Sequence, residues 1–441
     1  MLATRLGCRY TVVATEGMSM KVESIFTPND IPSVTYVDRS DHKHQQTLRD
    51  YYNIPNMVVS ISGPSKSGKT VLIKKVISEE LLITVTGSAI TSGENLWERV
   101  LNWMGAPAEV VKSRSSENTV GGEVEGSGSL SLPLIGSVEA TANATGERSW
   151  GKETSRTFGR GGIDQVVREI ANSEFVVFID DFHYISPDLR DEIGKQLKSA
   201  AERGVKIFTA SVPHRSDDVV RTNPELRGRV AAIDMTYWTV EELSQISRAG
   251  FNAMNIDLAP AVERRFAVEA AGSPQLMQSI CLNFCYAADK REAQPIHARL
   301  EISEEGIADT LARTSSFTNF AKMVTALHTG PRTRGTERKI HQLRDGTSGD
   351  VYRAVLLALK SDPSALSFSY DDLLSRVRAQ CIGDAPVGSS ITNALEQMAI
   401  IAAEIQPGSN PIAWDDDRFD IADPYLLFYL RCSDKVAALG R

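Results

Sequence analysis

The sequence predicts an α/β fold: a parallel sheet flanked by helices, followed by a helical segment and a small C-terminal domain. Three observations carry that expectation. The apolar run Met57-Val58-Val59-Ser60-Ile61 leads straight into a glycine-flanked loop and then a helix-forming stretch, Val71-Leu72-Ile73-Lys74-Lys75-Val76-Ile77. Strand-like and helix-like segments alternate on both sides of a long Gly/Ser/Thr-rich stretch, as helical crossovers between parallel strands do. A second apolar run, Phe175-Val176-Val177-Phe178-Ile179, ends in the acid pair Asp180-Asp181.

The loop is Gly63-Pro64-Ser65-Lys66-Ser67-Gly68-Lys69-Thr70, with Val71 behind it. It fits Gly-x-x-x-x-Gly-Lys-Thr, the P-loop pattern, and sits between strand and helix as that pattern requires. Gly63 and Gly68 let the backbone turn so that successive N–H groups face phosphate oxygens, and the helix start adds its positive end. Lys69 is placed to reach the β- and γ-phosphates, and the Thr70 hydroxyl to ligate Mg²⁺. A strand buried on both faces delivers Asp180 to that metal from its carboxyl end, as a Walker B strand does, while Asp181 is placed to orient or deprotonate the attacking water. The expected cofactors are ATP and Mg²⁺.

Composition sets the outer limits. At 441 residues the chain is too long for one core, so two or three domains are expected. A net charge of −8 disfavours a general nucleic-acid or membrane-surface protein. Cys8, Cys281, Cys285, Cys381 and Cys432 are odd in number and scattered, which reads as reduced thiols in a cytoplasm. Cys281 and Cys285 lie one helical turn apart, and the safer reading is a core helix. No apolar run approaches the length of a membrane span. Residues 1–17 lack the hydrophobic block of a signal peptide, and Met18 and Met20 follow at once, so a loose tail or an upstream start codon is expected.

Taken in order, Tyr36, Val37 and Arg39 stand where a segment closes over the adenine, or where a plain packing segment lies. Leu81–Thr86 reads as a second buried strand and Glu94–Met104 as the helix returning from it. From Ser113 to Gly162 the chain is too long and too rich in Gly, Ser and Thr for an ordinary connection. Ser129–Leu134 and Ser137–Ala142 alternate with period two inside it, so the choice is a flexible insertion or a hairpin for an oligomer or partner. Asp188–Arg203 is a helix and Val205–Ser211 a further buried strand. Its polar end lies beside Asp180, so Ser211, with Thr209 second, is either the candidate sensor of the γ-phosphate or water or a hydroxyl capping the strand end.

These motifs together resemble the AAA+ and STAND group of P-loop ATPases, over about Tyr36 to the C-terminus. Asp180-Asp181 stands where most AAA+ enzymes have Asp-Glu, and Gly272-Ser273-Pro274-Gln275 looks like the STAND Gly-x-Pro motif without the usual AAA+ arginine. The resemblance implies that Pro274 contacts nucleotide and couples it to a helical lid, and that hydrolysis is slow. Arg227 or Arg229 falls where ring-forming ATPases of this group place an arginine finger for a neighbouring subunit, or is a solvated surface arginine. The ending Asp423-Pro424-Tyr425-Leu426-Leu427-Phe428-Tyr429-Leu430-Arg431 is similar to the tail of archaeal-type STAND ATPases.

Ile296–Leu343 is expected to be a linker with helical content and a basic cluster of Arg332, Arg334, Arg338, Lys339 and Arg344 against Glu337, which reads as solvated loop arginines or as a contact for a phosphate-rich partner. From Gly349, three helices and a hairpin around Asp415-Asp416-Asp417 spell a winged helix. Residues 349–441 hold eight Lys/Arg and thirteen Asp/Glu, a balance of −5, and Ser389–Ala403 has no Lys or Arg. Insertion into a DNA groove is therefore disfavoured, and the domain reads as an intramolecular gate and protein-contact module. The expected domains are a partly disordered arm at 1–34, the ATPase core at 35–235, a lid at 236–295, the linker at 296–348 and the winged helix at 349–441. The leading functional expectation is an ATP/ADP conformational switch that self-associates or recruits a separate effector, with a defence role implied by resemblance alone. The alternatives are a DNA-acting AAA+ ATPase of the initiator or transposition-regulator kind and a nucleotide-stabilised scaffold.

Overall fold

A computed structural model of the chain describes residues 20–105, 109–112, 156–159, 162–212, 226, 228–332, 337–407, 409, 411–415 and 417–440. It divides into two compact units: Arg39–Tyr237, and the described part of Met1–Asp38 together with Trp238–Arg441.

The first unit runs α1 (His44–Tyr52), β1 (Val58–Ser62), α2 (Lys69–Val76), β2 (Leu82–Thr86), α3 (Gly93–Trp103), β3 (Glu109–Lys112), β4 (Arg156–Gly159), α4 (Gly162–Ile170), β5 (Val176–Asp180), α5 (Pro187–Glu202), β6 (Lys206–Ser211) and β7 (Val230–Asp234). Five strands form one sheet in the order β2-β5-β6-β1-β7, and every pairing in it is parallel. Parallel strands covered on both faces are buried along their length, as the central β5, β6 and β1 are, while the edge strands β2 and β7 each leave two positions exposed. Val58, Ile83, Val85, Val177, Ile179 and Ile207 pack with α3, α4 and α5. Val59, Ile61, Leu82, Val176, Phe178 and Phe208 pack with α1 and α2. The register leaves Ser62 opposite both Ser211 and Asp234, and Thr86 opposite Asp180, so the strands finish along one edge.

Arg156–Gly159 pairs antiparallel with Glu109–Lys112. Residues 113–155, with the two candidate hairpin strands, lie outside the described residues.

The second unit begins with Val22, Ile25 and Phe26, all fully buried. They join the core of α6 (Val240–Ala253), β8 (Ile256–Leu258), α7 (Pro260–Glu269), α8 (Pro274–Ala287), β9 (Ala298–Leu300) and α9 (Glu304–Ser316). Of the partly disordered arm expected at 1–34, residues 20–34 are therefore packed, and residues 1–19 lie outside the described residues. Three apolar side chains, and the Gln278–Thr35 and Thr35–Ile25 hydrogen bonds, anchor this stretch. Thr239 and Glu242 close a reciprocal cap at the start of α6, which satisfies N–H groups the first turn would leave open. Cys281 and Cys285 sit buried on α8. The linker expected at 296–348 carries two helices, which pack into different cores. Ile307 and Leu311 of α9 are buried in this core, whereas Met323, Val324 and Leu327 of α10 (Ala321–Thr329) are buried in the next.

That next core follows a two-stranded pairing of β10 (His341–Gln342) with β11 (Ser348–Gly349). It is built from α11 (Val351–Lys360), β12 (Ser367–Ser369), α12 (Tyr370–Gln380), α13 (Gly388–Ile405), β13 (Ile412–Asp415), β14 (Arg418–Ile421) and α14 (Pro424–Cys432). The strands form an antiparallel sheet in the order β12-β14-β13. Among the described residues, no helix is long and apolar enough to cross a membrane.

Candidate nucleotide site

At the carboxyl edge of the sheet, β1 ends and the loop to α2 begins. Gly68 has φ +96°, which a side chain would strain, and it ends the loop where Lys69 opens the helix. The Gly63 amide donates to the Ser211 carbonyl at 3.1 Å, tying the loop's first residue to the end of β6. Ser62 Oγ donates to Asp234 Oδ1 at 2.5 Å, and the Met235 amide donates to the Ser62 carbonyl at 2.7 Å, which fixes the loop's root to β7.

Lys69 is buried, 8 % exposed. Its Nζ donates to the carbonyls of Gly63 at 2.9 Å and Pro64 at 2.8 Å, so the ammonium sits under the loop. Burial pushes it down to about 8, against the pull of Asp180 and Asp181. The charge is therefore held at a cost that a polyanion in the loop would relieve.

Thr70 Oγ1 donates to Asp180 Oδ2 at 2.9 Å. Asp180 Oδ1 accepts from the Asp181 amide at 3.0 Å. Burial and then Asp181 raise the Asp180 carboxyl, while Thr70, the Asp181 amide and Lys69 oppose them. A hydroxyl and a carboxylate are the hard oxygens Mg²⁺ prefers, and two neighbouring ligands of its octahedron, each at about 2.0–2.1 Å, stand about 2.9 Å apart. The observed separation fits such an ion, held directly or through a water on the carboxylate.

Asp181 has φ +54° and begins the turn after β5. Two features absent from the motif reading hold that turn. A Cβ on Gly87, after β2, would stand 2.3 Å from the Asp181 carbonyl oxygen, so only glycine lets the two strand ends approach so closely. Buried Arg190 reaches back from α5, its Nε donating to the Ile185 carbonyl at 3.0 Å and Nη2 to the His183 carbonyl at 2.9 Å. Gly87 had a faint signal, a glycine directly after an apolar strand; Arg190 had none.

Ser211 is 3 % exposed, and its Oγ finds no hydrogen-bond partner among the described residues. Thr209 lies further back in β6, opposite Ser60.

The fold thus gathers residues 63–71, Asp180, Asp181 and Ser211 at one edge of the sheet. The Arg39 guanidinium donates to the Thr236 carbonyl and hydroxyl, both at 3.1 Å. Tyr36, Val37 and Pro274 belong to the other unit, where Val37 packs against the helical core and Pro274 opens α8 behind the Ser273 cap. Arg229 lies before β7, and its carbonyl accepts from Val58 at the amino end of β1, ~13 Å of strand away from the loop. Its Nη1 pairs with Glu202 at 2.9 Å. It is therefore not placed to reach a phosphate held in this chain's own loop. Arg227 and Arg334 lie outside the described residues.

No protein-family model matches the chain. No curated protein matches it. Among solved structures it is similar to Cdc6p from Pyrobaculum aerophilum at 12% identity and a TM-score of 0.40, over 95% of this chain and 99% of that one. It is also similar to the ORC2 protein of Aeropyrum pernix in its ADPNP-ADP complexes, at 12% identity and 0.46, over 96% and 99%. A third is the Walker-type ATPase paby2304 of Pyrococcus abyssi, at 14% identity and 0.45, over 90% and 99%. At these identities and TM-scores they add nothing to what the geometry supports.

Proposed function

We propose that this chain is a Mg²⁺-dependent, ATP-binding regulatory ATPase of the STAND kind, whose ATP and ADP forms place a helical lid and a C-terminal winged helix differently. One observation carries the reading: Thr70 is bonded to Asp180 at 2.9 Å beside a buried Lys69 held on the loop's own carbonyls. Bound ATP supplies the γ-phosphoryl group, and Mg²⁺ neutralises its charge. Lys69 exchanges its loop carbonyls for phosphate oxygens, while Thr70 and Asp180 present the oxygens for the metal. Asp181 orients the attacking water from its left-handed turn, and the orphaned Ser211 hydroxyl donates to the γ-phosphate or that water. Asp181 in place of Glu, with no arginine in Gly272-Ser273-Pro274-Gln275, favours slow turnover.

Helices 351–360, 370–380 and 388–405 with the β12-β14-β13 sheet support the winged-helix reading. The face of α13 shows Ser389, Asn393, Glu396 and Ile400 to solvent, and Asp415 and Asp417 are exposed at the hairpin. That surface suits protein contacts better than a duplex. The ATP form self-associates or recruits a separate effector, and a defence role rests on the resemblance. Native mass spectrometry in ADP and then in a non-hydrolysable ATP analogue tests the switch: a change in subunit number or partner supports it, and the same mass in both sinks it.

The second reading, a DNA-acting AAA+ ATPase, is favoured by exposed Arg332 and Arg344. Other members of the basic cluster are committed: Arg338 pairs with Asp350 at 2.7 Å and stacks over Tyr352, and Lys339 pairs with Asp384. Salt-sensitive duplex binding lost on Arg332→Ala and Arg344→Ala would put this reading first.

A further inference from the structure

We infer that the lid and the C-terminal domain form a single lever, locked by the buried pair Glu269–Arg431, and that nucleotide moves them together about the two chain crossings at 38/39 and 237/238. The inference rests on the switch reading above. Glu269 ends α7 in the lid, three residues before Gly272, and Arg431 lies in the last turn of α14. Their side chains are 1 % and 7 % exposed. Arg431 Nε donates to Glu269 Oε2 at 2.8 Å and Nη2 to Oε1 at 2.9 Å, a two-pronged fit that fixes direction as well as distance.

The same two groups hold their neighbours. Arg431 Nη1 donates to the Lys360 carbonyl at the end of α11 at 2.7 Å, and Nη2 to Asp362 at 2.8 Å. Arg265 Nη2 lies 3.2 Å from Glu269 Oε1, and the Cys432 thiol donates to Oε2 at 3.5 Å. Burial opposes the Arg431 charge, and its bonds to Glu269 and Asp362 more than offset that. One turn earlier on α14, Phe428 is fully buried in the lid's core, so apolar packing follows the ionic contact. Parting lid from tail would break both prongs of a buried pair and leave Glu269 to Arg265 and Arg431 to the Lys360 carbonyl and Asp362, which makes this a poor place for a hinge.

The crossings have the opposite character. Only Asp38–Arg39 and Tyr237–Trp238 join the two units covalently. Arg39 bonds Thr236 and the Tyr237 carbonyl, so the two crossings are stapled side by side. Just beyond, the Trp238 amide donates to the Gly272 carbonyl at 3.2 Å. The second crossing is thus bonded directly to the Gly272-Ser273-Pro274 turn, three residues from the lock.

The test uses the full chain carrying spin labels on introduced non-natural side chains at exposed positions. Labels at 264 and 396 report distance within the lever, and labels at 188 and 396 report between the units. In ADP and in a non-hydrolysable ATP analogue, the 264–396 distribution should stay the same and narrow while the 188–396 distance shifts. A nucleotide-dependent 264–396 shift in the unsubstituted chain overturns the lever. Arg431→Met should broaden or split the 264–396 distribution, as should Glu269→Met with Arg431→Met, which leaves no buried charge and is the better candidate to fold. A folded variant that keeps the narrow distribution overturns the lock. An unchanged 188–396 distance would instead count against the switch, and 264–396 would still judge the lever.

Discussion

Thr70 and Asp180, 110 residues apart, meet at 2.9 Å. Thr70 lies in the first turn of α2, which follows β1, and Asp180 ends β5, with β6 between those two strands. The shared carboxyl edge of a parallel sheet, not strand pairing, brings the hydroxyl to the acid. Asp180→Asn keeps an acceptor for Thr70 and removes the charge. The Mg²⁺-dependent part of ATP-analogue affinity should fall about 10- to 100-fold, while affinity in EDTA holds. Titration calorimetry with and without Mg²⁺ checks it, and equal losses in both would place the metal elsewhere.

Lys69 makes binding pH-dependent. Below pH 8 the ammonium is charged with or without nucleotide, and affinity is flat. Above pH 8 the empty site loses a proton that the phosphate-filled site retains, so binding takes up a proton. Affinity should then drop by up to about tenfold per pH unit until the bound-state value is passed. Calorimetry in buffers of different ionisation enthalpy reads the uptake, and Lys69→Met should abolish it.

Ser211→Ala removes a buried hydroxyl with no partner among the described residues. Stability should stay level or rise by up to ~1 kcal/mol, while kcat falls and KM for ATP does not change. A stability loss in urea unfolding would mean that the hydroxyl has a structural partner.

Gly87→Ala forces a Cβ onto the Asp181 carbonyl, 2.3 Å away. The turn must shift, at a cost of about 1–3 kcal/mol. Hydrolysis should fall further than ATP binding does, because Lys69 and the loop are untouched. Equal losses in single-turnover rate and affinity would deny the turn its role in placing Asp181.

Arg39→Ala distinguishes two uses of one side chain. A guanidinium spent on Thr236 and Tyr237 should cost about 1–3 kcal/mol of stability on removal and leave the preference for ATP over GTP unchanged. A changed preference would return Arg39 to the base.

The sequence by itself determined the sheet, the loop and the acid pair, because each is a local pattern whose chemistry dictates residue type. Apolar runs mean strands buried on both faces, Gly68 means a backbone no side chain permits, and Asp180 at a strand's end means a carboxylate at the edge where ligands bind. Only the tertiary structure decided what depends on distant partners. Arg39, open in the sequence between base contact and packing, closes a staple; residues 22–26 fill a helical core; the linker's two helices divide between two cores. Gly87 matters for the oxygen of Asp181, and Glu269 for an arginine 162 residues away. Periodicity and motif spacing register a residue's own chain neighbourhood, whereas a buried charge is placed by whatever the fold brings against it.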